Sequence, residues 1–511
     1  MKSKWLLLVI ILLSIVINFP YVYGVMSSGA DTVFAGFLIN PIDANSYLAK
    51  MYQGWMGEWL FNLPYTAEPG NGAPLFLFYL FLGHISRLLS MPLIITYHLS
   101  RWSASVFLWL TLWRFFHYFY SEDRYAKRAF LIVSLGSGMG WAFFLSGHFT
   151  SDFWVVETYP FLSTYANPHF PLGLAIILWI LILADRKRST KDELILFGLG
   201  SVLAIVQPFG VVVVIAALCG AMLVRSLSMK KLYWHDLPLF MIGGILLLGY
   251  QYWIIHTDPL LSLWNIQNQT PAPPLWDVIV SLSPALLLVP FCFYLCPKTE
   301  TRLWRFQSLM IGWIFTVTIF LFIPFNLQRR LMTGLYVPVA SLAVIGVDFL
   351  QKRLRLHTKA IWLPVVAMSI LTNLVVVLSG FWGIHAHDQM IYISRDDFEM
   401  YQWIAKHTPD SALILASPES GLFIPAYTGR RVIYGHPFET VNAEKYKELV
   451  EGYFQGVFCE EEAELLLREL RVDYIFRGPR ERKLGNPSYI WLLRPVHQTG
   501  DTILYKAGDE N

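Results

Sequence analysis

The chain has 511 residues, 55% of them hydrophobic and only 15% charged, whereas soluble domains carry about 25% charged residues. A net charge of +3, with no basic cluster interleaved with aromatics, argues against a nucleic-acid partner. Of the four cysteines, Cys219, Cys292 and Cys296 lie in apolar runs and Cys459 stands alone near the C-terminus, so neither a disulfide framework nor a cysteine-based metal site is expected.

The N-terminus reads Met1-Lys2-Ser3-Lys4 and enters an apolar stretch from Trp5 to about Tyr23. The stretch is long for the apolar part of a signal peptide, and no A-x-A-like site follows. It reads as an uncleaved first membrane helix with a cytoplasmic N-terminus. After loop 25–73 come apolar runs near 74–90, 92–119, 129–147, 170–184, 194–207, 208–224, 239–255, 275–296, 306–325, 331–350 and 360–382. Many approach the roughly 20 residues that span a bilayer, and Trp and Tyr crowd their ends as in an interfacial belt.

Several connections are short and basic: Arg124, Lys127 and Arg128; Arg186, Lys187, Arg188 and Lys191; Arg225, Lys230 and Lys231; Lys298, Arg302 and Arg305; Lys352, Arg353, Arg355 and Lys359. They alternate with 148–168 and 256–274, which hold no Lys or Arg. Basic loops stay in the cytoplasm, so 25–73, 148–168, 256–274, 326–330 and everything after about 383 are expected outside. An odd number of crossings must then separate loop 25–73 from 121–128. Run 92–119 is expected to cross, and 74–90, with His84 and Arg87, to lie at the outer surface or re-enter. The expected fold is an all-α polytopic transmembrane bundle of about 11–13 helices over 1–382, in the plasma (inner) membrane. The tail, 383–511, reads as a small extracytoplasmic α/β domain, with helices near 394–407, 443–454 and 459–470. Its strands are expected near 412–416, 431–434, 472–476 and 502–505.

The predicted spans are nearly free of Asp and Glu, Asp348 lying close to a cytoplasmic end, whereas a transporter needs such groups inside the membrane. Acids gather in the outer loops instead: Asp31, Asp43, Glu58 and Glu68 in the first, Asp152 and Glu157 in the second. Carboxylates held at a bilayer surface suit a reaction on a lipid-linked substrate. Asp43, in Asn40-Pro41-Ile42-Asp43-Ala44-Asn45-Ser46-Tyr47-Leu48-Ala49-Lys50, follows a proline and precedes an amphipathic helical stretch. It is placed like an N-cap; it is also a carboxylate held rigidly at a helix start. Asp31, nearer the first helix, is the alternative. Glu68 sits in a turn-rich segment that could border an acceptor site, and Arg101, inside an apolar run, could pair with a first-loop acid.

Here the sequence resembles the GT-C superfamily of membrane glycosyltransferases, notably protein O-mannosyltransferases, aminoarabinose transferases and related bacterial lipid-A sugar transferases. Those enzymes carry an acid, often Asp-Glu, soon after the first helix, then a surface helix, a glycine, an aromatic stretch and a Pro-Pro-Leu-type start to the next apolar segment. This chain has Asp43, 47–53, Gly54, Trp59-Leu60-Phe61 and Ala73-Pro74-Leu75 in that order. It departs in having Ala44 for the second acid and Gly72-Ala73-Pro74 for His-Pro-Pro. A divalent metal is therefore an option that these residues do not indicate, and no cofactor is assigned.

The resemblance implies transfer of a sugar from a polyprenyl- or dolichyl-phosphate donor to a hydroxyl of a glycan, lipid or protein acceptor on the outer face, with inversion. It makes Asp43 the general base. The leaving phosphate needs cations, and Gln328-Arg329-Arg330 holds the one Arg pair in an outer loop, against the positive-inside rule. His169, at another outer helix end, could bind phosphate or sugar; Tyr47, Lys50 and Glu68 complete the expected substrate-binding set. The alternatives are a transporter or flippase of lipid-linked glycans and a non-enzymatic membrane assembly protein. Acids in the first outer loop rather than in the spans favour the transferase.

Overall fold

The computed structural model describes residues 2–68, 70–233, 240–295, 300–355 and 357–507; Cys296 and Lys298 lie outside the described residues. Helices dominate, with one two-stranded and one five-stranded sheet. The chain divides into two compact units, one built from 1–20, 98–250 and 270–381, the other from 21–97, 251–269 and 382–511.

The first unit is helical. Among the described residues of the whole chain, four helices are long and apolar enough to cross a membrane: Lys4–Met26 (within α1, Lys2–Met26), Pro208–Met229, Arg302–Leu321 and Ala360–His385. Two bent pairs, Leu77–Leu88 with Leu93–Phe119 and Leu275–Leu282 with Ala285–Tyr294, raise the number to six. That is fewer than the 11–13 expected, because an apolar run does not show where its helix stops. The helix in run 129–147 ends at Leu135, and the chain resumes helix only at Gly140–Phe144. Run 275–296 turns by 81° at Ser283-Pro284, where proline has no amide hydrogen to continue the ladder. Run 170–184 forms the 16-residue helix His169–Ala184, short of the roughly 20 residues a span needs. On α1, Leu7, Leu8, Ile11, Leu12 and Ile15 are 47–58% exposed. A continuous apolar face of this kind is stable against lipid tails and not against water, so the chain is an integral membrane protein. Arg101 is fully buried; its guanidinium donates to the carbonyls of Ile17, Thr164 and Tyr165 and to Asn18 Oδ1, tying α1 to the end of helix Pro160–Ala166.

The second unit folds the first loop together with the tail. β1 (Thr32–Phe34) pairs antiparallel with β2 (Tyr392–Ser394), Val33 opposite Ile393. The larger sheet contains β3 (Leu413–Leu415), β4 (Arg431–Val432), β5 (Tyr474–Arg477), β6 (Arg494–Thr499) and β7 (Thr502–Lys506), in the order β4-β3-β5-β7-β6. β3 runs parallel to β4 and β5, while β5, β7 and β6 are antiparallel. Helices Arg395–His407, Ala443–Gln455 and Glu460–Glu469 lie where the sequence places them. Several elements were not foreseen, among them β1, β2, β6 and helix Pro418–Thr428. β6 is a largely exposed strand at the sheet edge and so lacks the apolar alternation that marks a half-buried one. Helix Pro418–Thr428 contains Gly421 and Pro425 and reads as a loop, yet Ser417 caps it and eight of its eleven residues are buried; packing overrides its poor propensity. One core joins loop and tail: Ala35, Ala49 and Tyr65 pack with Ile393, Met400, Tyr401, Ile414, Phe423 and Phe476.

Within this unit α2 (Pro41–Met56) packs on α3 (Leu77–Leu88). The two cross at Gly54 and Gly83. A Cβ on Gly54 would lie 2.0 Å from the Leu80 carbonyl oxygen, and one on Gly83 2.0 Å from that of Met51, so only glycine permits the approach.

Candidate active site

α2 starts at Pro41, whose ring presets the first helical φ. Asn40, at φ 46°, is the N-cap, which corrects the sequence expectation that Asp43 caps the helix. Asp43 lies in the first turn, where the helix dipole favours a negative charge. Its side chain is 42% exposed, while Ala44, Asn45 and Ser46 beside it are buried. The fold therefore presents a single carboxylate at the open rim of a packed helix.

A buried polar network lies behind it. Lys50, two turns along α2, is wholly enclosed; its ammonium is 2.5 Å from Glu439 Oε1 and 2.6 Å from Ser46 Oγ. Ser46 Oγ donates to the same Glu439 oxygen at 2.6 Å. The rings of Phe76, Tyr47 and Phe61 surround the ammonium at 4.4, 5.3 and 5.4 Å. Lys50, expected at the substrate, thus spends its charge internally. Burial pulls its pKa down, against the pull of Glu439 and Asp43. Burial also pushes the Glu439 carboxyl up, but its neighbours, Lys50 above all, outweigh burial and hold it below the usual carboxylate range. A carboxyl lowered on folding adds stability above its unfolded pKa, and that stability fades as pH falls through the lowered value. Lys50→Met should cost about 3–5 kcal/mol, because it strands a buried carboxylate. Lys50→Met combined with Glu439→Leu removes both charges and should recover most of the loss. Thermal melts in detergent check this; equal losses in the single and double variants would show that the pair is not coupled.

The tail also brings His436 to Asp43, its Nε2 3.6 Å from Asp43 Oδ1. His436, Glu439 and Ser46 escaped the sequence reading. The turn Gly435-His436-Pro437-Phe438-Glu439-Thr440 looks like an ordinary surface turn, and almost 400 residues separate it from α2. Tyr47 is half-buried and stacks on Tyr79 with ring centres 4.4 Å apart. Asp31 is exposed just before β1, where its carbonyl accepts from the Arg395 amide. Glu68 is exposed as well. Among the described residues no group of three or more His, Cys, Asp or Glu is placed to hold a metal ion.

The first unit holds the basic residues singled out in 326–330. Arg330 Nη1 lies 3.4 Å and Arg329 Nε 3.9 Å from the same oxygen, Oε1 of Glu157. Arg329 also stacks over Trp154 at 4.8 Å. Glu157 is almost entirely buried, and the three side chains together carry a formal charge of +1. Gln328 uses both ends of its amide on the backbone, accepting from Ala272 N and donating to the Ile323 carbonyl. Gln207 donates to Thr333 Oγ1 at 3.2 Å. His169 opens helix His169–Ala184 and is 9% exposed. Asp152, the other acid of the second loop, accepts from the Gly140 amide and from the Thr150 and Ser281 hydroxyls.

No protein-family model matches the sequence, and no curated protein does. Solved structures do. The oligosaccharyltransferase of Archaeoglobus fulgidus in its apo form aligns with 93% of this chain and 70% of its own, at 12% identity and a TM-score of 0.57. The archaeal oligosaccharyltransferase AglB from Archaeoglobus fulgidus, in complex with an inhibitory peptide and a dolichol-phosphate, aligns with a TM-score of 0.52, at 12% identity over 93% of this chain and 69% of its own. ArnT from Cupriavidus metallidurans, bound to undecaprenyl phosphate, covers 100% of this chain and 99% of its own, at 10% identity and a TM-score of 0.54. The chain shares the fold of these solved structures.

Proposed function

We propose that this chain is a membrane glycosyltransferase that moves a sugar from a polyprenyl- or dolichyl-phosphate donor to an acceptor hydroxyl on the non-cytoplasmic face. Asp43 carries the reading: it is a partly exposed carboxylate fixed in the first turn of a packed helix, in a chain with the fold of AglB and ArnT. Asp43 takes the proton of the acceptor hydroxyl as that oxygen attacks the anomeric carbon. The bond from that carbon to the phosphate oxygen breaks, and the lipid phosphate leaves with the bonding pair. A single displacement inverts the anomeric centre. Arg329 and Arg330 bind the donor phosphate, for which guanidinium offers paired donors. The joint packing of first loop and tail supports placing both on one side of the membrane.

The test uses the full chain in nanodiscs with a panel of radiolabelled polyprenyl-phosphate sugars and a membrane acceptor extract. Label should pass to the acceptor, with polyprenyl phosphate released in equal amount. In proteoliposomes, passage of the intact donor lipid across the bilayer without its consumption would overturn the reading in favour of a flippase.

A further inference from the structure

We propose that His436 of the tail is a positioning residue for Asp43, holding one oxygen of its carboxylate so that the other meets the acceptor hydroxyl. The inference rests on the general-base reading of Asp43 and adds to it a contribution from the C-terminal part of the chain.

The turn that carries His436 is tied down on every side. The Gly435 and His436 amides both donate to Thr440 Oγ1, and the Thr440 amide donates to the His436 carbonyl. Gln267 anchors the far end of the turn, donating to the Thr440 carbonyl and accepting from the Asn442 amide. A Cβ on Gly435 would lie 2.3 Å from the Gly421 carbonyl oxygen and 2.8 Å from the Tyr65 ring, so the backbone packs there to the limit that glycine allows.

The ring is 2% exposed. The amides of Phe438 and Glu439 both donate to its Nδ1, at 3.1 and 3.2 Å. A nitrogen that accepts two hydrogen bonds bears no hydrogen, which puts the ring hydrogen on Nε2. Nε2 is buried, forms no hydrogen bond to another group, and lies 3.6 Å from Asp43 Oδ1. That separation is longer than a formed hydrogen bond. Hydrogen bonds of catalytic groups are commonly long before substrate binds, and a small rotation of the partly exposed Asp43 side chain closes this one. Lys50 and Glu439 lie close by but are paired with each other, whereas His436 holds a buried nitrogen beside the carboxylate. A carboxylate held through one oxygen has one fewer free rotation to lose when the acceptor binds, and this lowers the barrier to proton transfer.

Two variants separate the ring's roles. His436→Asn puts a carbonyl oxygen where Nδ1 accepts and keeps the turn fastened, but it loses the donor to Asp43. His436→Gln carries an amide nitrogen toward the Nε2 position. Initial rates and thermal melts are measured for both, alone and with Asp43→Asn. His436→Asn should melt as the parent does and lose roughly 10-fold in kcat, the worth of one charge-assisted hydrogen bond, with KM for donor and acceptor unchanged. His436→Gln should stay within about threefold of the parent in kcat, since its donor is restored. Adding His436→Asn to Asp43→Asn should slow transfer no further. Parental kcat in His436→Asn beside an inactive Asp43→Asn overturns this inference alone. A slow His436→Gln that melts normally also overturns it, as does a matching fall in rate and melting temperature for both His436 variants. An active Asp43→Asn overturns the general-base reading itself.

Discussion

Asp43→Asn is expected to insert and fold as the parent chain does, yet to transfer sugar roughly 10²–10⁴-fold more slowly, the usual worth of general-base assistance. Stability should hold because the helix start does not depend on the carboxylate: Pro41 opens α2 and Asn40 occupies the N-cap. Folding does lose the favourable interaction of a first-turn charge with the helix dipole, about 0.3–1 kcal/mol at a partly exposed position. Rate and stability therefore separate in this variant, which a purely structural acid would not allow. Asp31→Asn is the control. Asp31 is exposed just before β1 and serves the fold through its backbone carbonyl, so its variant should keep the parental rate. Initial-rate assays in nanodiscs, paired with melting curves, check both. Retained transfer by Asp43→Asn with loss in Asp31→Asn would move the base to Asp31.

Replacing Arg329 or Arg330 by alanine should raise the KM for the lipid-linked donor by about 10- to 100-fold, the equivalent of about 1.5–3 kcal/mol for a hydrogen bond to a charged group. Both guanidiniums contact the one carboxylate of Glu157, and at 3.4 and 3.9 Å neither contact is tight. A donor phosphate would compete with Glu157 for both guanidiniums. Arg→Lys should also weaken donor use, because an ammonium cannot match two phosphate oxygens as a planar guanidinium does. If the pair merely anchors headgroups, lysine will substitute well and the alanine variants will lose membrane stability instead. Donor saturation curves for the four single variants decide the matter; unchanged curves for both alanine variants would refute phosphate binding. Glu157→Gln offers an internal check, since freeing both arginines from their shared acid should lower the donor KM.

Composition and hydrophobic patterning determined the membrane class, because burial in lipid demands long apolar runs and leaves their ends to aromatic and basic residues. The same local rules located the tail's three polar helices and the cores of β3, β5 and β7, whose apolar positions recur with helical or strand period. Asp43 stood out for a local reason as well, since proline followed by an acid at the head of an amphipathic stretch marks a helix start. Helix breaks inside apolar runs were hidden, because hydropathy is blind to where hydrogen bonding stops, as at Gly136 and Pro284. Helix Pro418–Thr428 was hidden because tertiary packing stabilises what propensity opposes. The surroundings of Asp43 were settled by tertiary structure alone. Lys50 reads as a basic residue on an amphipathic helix, and only the approach of Glu439 from the tail turns it into a buried ion pair. His436 meets Asp43 because β1 pairs with β2, and because Gly435 and Gly421 let two backbones touch. Contacts between residues hundreds of positions apart depend on which surfaces pack together, and no local pattern along the chain encodes that choice.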